Sequence, residues 1–224
     1  MALVNIKSLI IKKSWALLEK LPAKERKSVL LSGGGAAFLF GSDRPFSYDY
    51  DFEVSKKISH ELRNHLGARF FYHRKKPIFH SLKAEVDIDD DNYDLIAETV
   101  VQPPGRRDSY IFYLTDEIVR KRAVFKAGGK TIYCVPKELL LLIKLLAGRG
   151  KELNKYDLYD AQKILEKNKD FDFIFFKKLI KEFLKPLTLS VPLLLKNAKR
   201  IPASKKSKNI TSLVSVLEKF RLFH

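Results

Sequence analysis

Apolar residues recur at helical spacing over residues 5–21, at Ile6, Leu9, Ile10, Leu17, Leu18 and Leu21, which predicts an amphipathic helix ended by Pro22. Val29-Leu30-Leu31 is a short apolar run that reads as a buried strand entering a glycine turn. Ala36 to Phe40 predicts a short helix stopped by Gly41. From Tyr48 to Val54 the chain alternates, with Tyr50, Phe52 and Val54 on one face and Asp49, Asp51 and Glu53 on the other. Residues 56–66 read as helix. Arg69 to Tyr72, Ile78 to Ile88 and Ile111 to Leu114 read as strands. Residues 102–107 form a loop by composition, and Lys126 to Lys130 a turn before the strand Thr131 to Val135. Pro136 then opens a strongly apolar helix, Lys137 to Ala147, stopped by Gly148 and Gly150. Further helices are expected at about 153–167, 173–184 and 211–220, with a basic connector over 196–210. The expected fold class is α+β: a mixed sheet with flanking helices over 1–135, then a helical C-terminal domain with a basic tail over 136–224.

Composition narrows the setting. The chain has 224 residues, 46% of them hydrophobic, with 16 Phe and 9 Tyr, enough for a sizeable core. A single cysteine, Cys134, rules out an internal disulfide and fits a reducing compartment. The amino terminus lacks a signal-peptide layout, and the longest apolar run, Leu139 to Ile143, is far too short to cross a bilayer. A cytoplasmic protein without a membrane partner is the expectation. The net charge is +17. Residues 1–28 carry seven Lys/Arg against two Glu, residues 177–224 twelve against two, and residues 41–98 hold 12 of the 26 acids. Basic ends around an acidic middle favour a polyanionic partner, nucleic acid or nucleotide polyphosphate. A merely solvated Lys-rich surface is the plainer reading.

The acidic middle carries the chemistry. Gly33-Gly34-Gly35 can bring bare backbone N–H groups close to an anion. Asp49 and Asp51, on one face of a strand, lie roughly 6.6 Å apart along it. Two such carboxylates can hold Mg²⁺ beside a triphosphate. A third is expected from the strand on which Glu85, Asp87 and Asp89 alternate with Ala84, Val86 and Ile88; Asp87 is the first choice and Glu85 the reserve. Lys144 sits among leucines, where an ammonium is costly unless a carboxylate or phosphate meets it.

Taken in order, Gly33-Gly34-Gly35-Ala36, Arg44 and Ser47-Tyr48-Asp49-Tyr50-Asp51-Phe52 resemble the Gly-Gly-x-Ala, Arg, Ser-x-Asp-x-Asp-Phe pattern of nucleotidyltransferase-fold proteins of the AbiEii toxin type, within the DNA polymerase β-like superfamily. Pro136-Lys137-Glu138 with Lys144-Leu145-Leu146-Ala147 resembles that family's Pro-x-Glu and Lys-Leu-x-Ala helix, and Asp157-Leu158-Tyr159-Asp160 its closing Asp-x-x-Asp. The likeness spans about residues 28–166. It implies transfer of a nucleoside monophosphate from an NTP to an acceptor hydroxyl, with release of pyrophosphate. It implies Asp49, Asp51 and Asp87 as ligands of Mg²⁺ or Mn²⁺, and Gly33, Gly34, Arg44 and Lys144 as nucleotide contacts. Asp157 would orient Lys144 or the base. RNA, in particular tRNA, is the implied acceptor, and an antitoxin protein a further partner. Tyr156 stands where the family often has Lys, so Lys155 or Lys151 is the substitute.

Other readings stay beside this one. Gly41-Ser42-Asp43-Arg44 offers a second register, similar to the Gly-Ser-x-Arg of minimal nucleotidyltransferases. Asp87 to Asn92 with Glu98 superficially matches a calcium-loop spacing, although an acidic turn over Asp89 to Asp91 fits better. His60, His65, His73 and His80 lack zinc spacing. A non-catalytic nucleic-acid-binding module on the same fold is the alternative function.

Overall fold

The computed structural model describes residues 6–45, 49–73, 79–150, 155–202 and 207–222. Ser47, Tyr48, Lys151, Lys205 and Lys206, and the side chain of His80, lie outside the described residues. The chain runs α1 (Ile6–Glu19), β1 (Val29–Leu31), α2 (Gly33–Leu39), β2 (Tyr50–Val54), α3 (Ser59–Leu66), β3 (Phe71–His73), β4 (Phe79–Ile88) and β5 (Asp91–Val101). It continues through β6 (Tyr110–Phe112), α4 (Asp116–Arg120), β7 (Ala123–Ala127), β8 (Lys130–Cys134), α5 (Lys137–Ala147), α6 (Asp157–Lys167), α7 (Phe173–Phe183), α8 (Leu187–Lys199) and α9 (Lys208–Leu222). The α+β expectation holds: among the described residues eight strands form a mixed sheet in the order β3-β4-β5-β2-β1-β8-β7, with β6 on β5.

Two parallel pairings build the centre. β2 lies parallel to β5, with Asp51 opposite Asp94, and β1 lies parallel to β8, with Leu31 opposite Cys134. β4 and β5 form a long antiparallel hairpin that turns at Asp89, whose φ of 52° fits the acidic turn expected there. This hairpin corrects the sequence picture, which stops at Ile88 and leaves β5 out. The aromatic face of β2 packs inward: Tyr50 and Phe52 lie 5.5 and 6.3 Å from the Tyr93 ring, and the Tyr93 hydroxyl donates to the Lys13 carbonyl in α1. Cys134, at the end of β8, is fully buried, and burial pushes its thiol pKa well up.

α5 is apolar nearly all round, the mark of a central helix. Leu141, Leu142, Leu145 and Leu146 are fully buried. Each contributes about 1.5–3 kcal/mol, which leaves room for one costly ammonium, Lys144, on the same helix. Every described element after β8 is helical. The connector expected over 196–210 is corrected: 196–199 close α8 and 208–210 open α9. Asn197 and Ala198 are buried there, so the basic run is part of the packed helix.

Candidate active site

A cavity of about 660 Å³ opens where the acidic face of β2 meets α5 and α6. Its lining includes Gly33, Gly34, Arg44, Asp49, Asp51, Lys144 and Asp157, so seven of the eight residues expected from sequence stand around one space.

The glycine turn fits its neighbours closely. Gly33 has φ +57°, and a Cβ there would lie 2.0 Å from Asp51 Oδ2; one on Gly34 would lie 2.4 Å from Arg44 Nη2. Only bare backbone lets these two side chains pack against the start of α2. Ser32 gives that start no side-chain cap, and the first-turn N–H groups have no acceptor within the helix. The Ser32 N–H instead donates to the Asp51 carbonyl at 2.7 Å, locking β2 against the turn.

The carboxylates gather on the sheet wall, beside the glycine turn. Burial, with Asp94 and Asp49 adding repulsion, pushes the Asp51 carboxyl up to about 6. Glu53 is 4% exposed, accepts from the Thr99 hydroxyl at 2.8 Å, and is pushed by burial up to about 8. Asp87 stands apart from this group. It shares the sheet face with Asp51, as alternation predicts, but β4 lies two strands from β2 with β5 between them. Asp87 pairs with Asn92, accepts its amide at 2.8 Å, and does not line the cavity. The carboxylate directly opposite Asp51 is Asp94. Glu85, the reserve choice, stands opposite Asp94 on β4 and shares Lys83 with it: Lys83 Nζ is 2.9 Å from Glu85 and 2.6 Å from Asp94.

The helical wall is cationic and tightly paired. Lys144 Nζ lies 3.0 Å from Asp157 Oδ1 and 2.9 Å from Asp160 Oδ2. Burial works against its charge, yet the two carboxylates outweigh it and hold the ammonium above the ordinary lysine range. Asp157 is 2% exposed; burial opposes its charge too, but Lys144 and Arg149, the latter at 2.5 Å, keep it below the ordinary carboxylate range. Asp160, fully buried, also accepts from Ser42 Oγ at 2.7 Å and from Arg44 Nε at 3.1 Å. Ser42 and Arg44 of the second register therefore join the same network through Asp160. Asp43 instead pairs with Lys163 and Tyr159 outside it. Lys155, offered as a lysine substitute, lines the cavity, as does Tyr156, whose ring lies 5.3 Å beneath the Arg44 guanidinium.

Sequence reasoning assigned no site role to Asp94, Arg149, Lys83, Glu53 or His73, and named Asp160 only as the end of the Asp-x-x-Asp motif; all six line the cavity. Asp160 was legible: three residues from Asp157 on a helix, it must share its face. Asp94 was legible once the acidic turn was followed by a returning strand.

Among the described residues no three His, Cys, Asp or Glu side chains form a ready-made metal site. Asp49 and Asp51 nonetheless suit Mg²⁺, which is held by one or two carboxylates with the remaining positions filled by water and substrate phosphates. Burial and, after it, the neighbouring carboxylates raise Asp51, and such a cation would relieve the repulsive part.

No family model and no curated protein matches the sequence. Solved structures resemble it at low identity. A putative nucleotidyltransferase from Thermotoga maritima is 13% identical, with 67% of this chain and 90% of that one covered and a TM-score of 0.45. A lincosamide antibiotic adenylyltransferase with lincomycin bound is 18% identical, covering 61% and 84%, at 0.34. An antigenic nucleotidyltransferase-like protein from Paracoccidioides brasiliensis is 14% identical, covering 83% and 91%, at 0.38. At these scores the likenesses carry no weight for what the chain does.

Proposed function

We propose that the chain is a Mg²⁺-dependent nucleotidyltransferase. The observation that carries this reading is the convergence of Asp49, Asp51, the Gly33–Gly34 turn, Lys144, Arg44 and Arg149 on one cavity. A triphosphate has a place for each of its charges there. The glycine N–H groups and the cationic wall take the β- and γ-phosphates. Asp49 and Asp51 would hold the metal, with Asp94 as the neighbouring third carboxylate. When bound there, Mg²⁺ would supply neutralisation of charge on the attacked phosphorus and a lower pKa for the acceptor hydroxyl. The acceptor oxygen forms a bond to the α-phosphorus, the bond from that phosphorus to the bridging oxygen breaks, pyrophosphate leaves, and the hydroxyl proton passes to solvent.

RNA is the proposed acceptor, with tRNA the first to test. The +17 net charge supports a polyanion, and the motif resemblance supports tRNA and a toxin paired with an antitoxin. No described helix is long and apolar enough to cross a membrane. The test is pyrophosphate release from each NTP, with Mg²⁺ or EDTA and with or without bulk tRNA. We expect metal-dependent release that tRNA stimulates and Asp49→Ala removes while RNA binding persists. A wild-type protein that is inert under every condition yet binds RNA with a steep salt dependence would leave the non-catalytic binding module in its place.

A further inference from the structure

α5 ends at the edge of the cavity, and what ends it comes from far along the chain. Gly148 turns out of the helix at φ 56°, and its N–H donates to the Lys144 carbonyl at 2.9 Å. The next residue, Arg149, clips Asp157 at 2.5 Å, and its carbonyl accepts from the Leu158 N–H at 3.3 Å. The last carbonyls of α5 need partners that the helix itself cannot supply. α8 supplies them. Asn197 Nδ2 donates to the Leu145 carbonyl at 2.7 Å, and Arg200 Nη1 donates to the Gly148 carbonyl at 3.0 Å and to Asn197 Oδ1 at 3.1 Å. Asn197 is 4% exposed. A Cβ on Gly148 would lie 2.3 Å from Asn197 Nδ2, so turn and amide are fitted to each other.

We propose that Asn197 and Arg200 are positioning residues for Arg149, and that nucleotide affinity at the cavity therefore depends on α8, which contributes no side chain to its lining. The inference rests on the reading of the cavity as a nucleotide site. The chain of action is short. The amide and guanidinium fix the carbonyls of Leu145 and Gly148, those fix the direction in which the chain leaves α5, and that direction sets the Arg149 guanidinium beside Asp157. Asp157 in turn holds Lys144. Loosening the clamp lets Arg149 leave a place where its fork meets a phosphate.

The experiment measures dissociation constants for a non-hydrolysable NTP with Mg²⁺ by calorimetry, alongside KM, kcat and thermal midpoints. The variants are Asn197→Leu, Arg200→Ala, Arg149→Ala and the double variant Asn197→Leu/Arg149→Ala. Arg200 is exposed, so its variant keeps a folded protein should the buried Asn197 change fail to fold. We expect Arg200→Ala and Asn197→Leu to raise Kd and KM by roughly tenfold, the worth of one charge-assisted hydrogen bond, with kcat little changed. The double variant should bind no more weakly than Arg149→Ala alone. Unchanged Kd in the folded clamp variants, or clamp and Arg149 effects that simply multiply, would overturn the positioning role. Wild-type protein that binds no nucleotide would instead overturn the reading of the cavity.

Discussion

The two walls of the cavity solve opposite electrostatic problems. On the sheet side, Asp49, Asp51 and Asp94 face one another, and the Asp51 carboxyl is driven up to about 6 because burial and its acidic neighbours outweigh the nearby lysines. On the helical side, Lys144, Arg44 and Arg149 meet Asp157 and Asp160 in full ion-pair contact. The first wall is left short of positive charge; the second sets three cations on two carboxylates, held still with one positive charge to spare. The lesson is that the surplus on each wall marks the part of a ligand it can take, a metal on the sheet side and phosphate on the helical side, while the paired charges keep both in place.

Substitutions on the two walls should therefore differ in sign. Asp51→Asn should cut pyrophosphate release by about a thousandfold or more, since the lost metal interaction is worth several kcal/mol. It should leave metal-free protein more stable, not less. A raised carboxyl holds a proton in the folded state that the unfolded chain gives up, so metal-free stability falls as pH climbs from 3.8 to about 6. Urea titrations across that window should show the decline in the wild type and a flatter profile in Asp51→Asn. Equal slopes would break the comparison. Lys144→Met should do the reverse: it strands Asp157 and Asp160 without their shared cation and should lose about 3–5 kcal/mol of stability by urea unfolding. A stable Lys144→Met protein would mean that the helical wall is not held by its ion pairs.

Gly33→Ala tests the meeting of the walls. Its Cβ would collide with Asp51 Oδ2 in a backbone conformation that L residues rarely adopt. The expected cost is about 1–3 kcal/mol with a severe loss of turnover. The smallest expected effect sharpens the comparison most. Asp87→Asn, at the exposed end of β4, should shift stability by no more than about 0.5 kcal/mol and leave release near wild type, whereas Asp94→Asn should impair release strongly. Matching losses in the two variants would return the third carboxylate to β4.

How much of this was legible follows from the range of each interaction. The shared face of Asp49, Asp51 and Glu53 was readable because strand alternation is local. α5 was readable from end to end because its apolar run is bounded by Pro136 and Gly148. The placement of Asp94 was not, because it depends on β5 inserting between β4 and β2, a pairing between distant segments. β5 also mixes apolar and acidic positions, so its outward residues resemble the acidic turn before it. α8 was hidden by Pro186 and Pro192 and by its basic end, while the contact that buries Asn197 is made with a helix 52 residues earlier.

The sole thiol has a practical use. Cys134, at the end of β8, is buried with its pKa pushed up, so it resists alkylation under native conditions. A reporter cysteine introduced at Lys155 on the rim would thus carry a maleimide fluorophore alone, without first removing the natural sulfur. Its emission on adding nucleotide and Mg²⁺ would follow events at the mouth in real time, with the parent protein as the unlabelled blank.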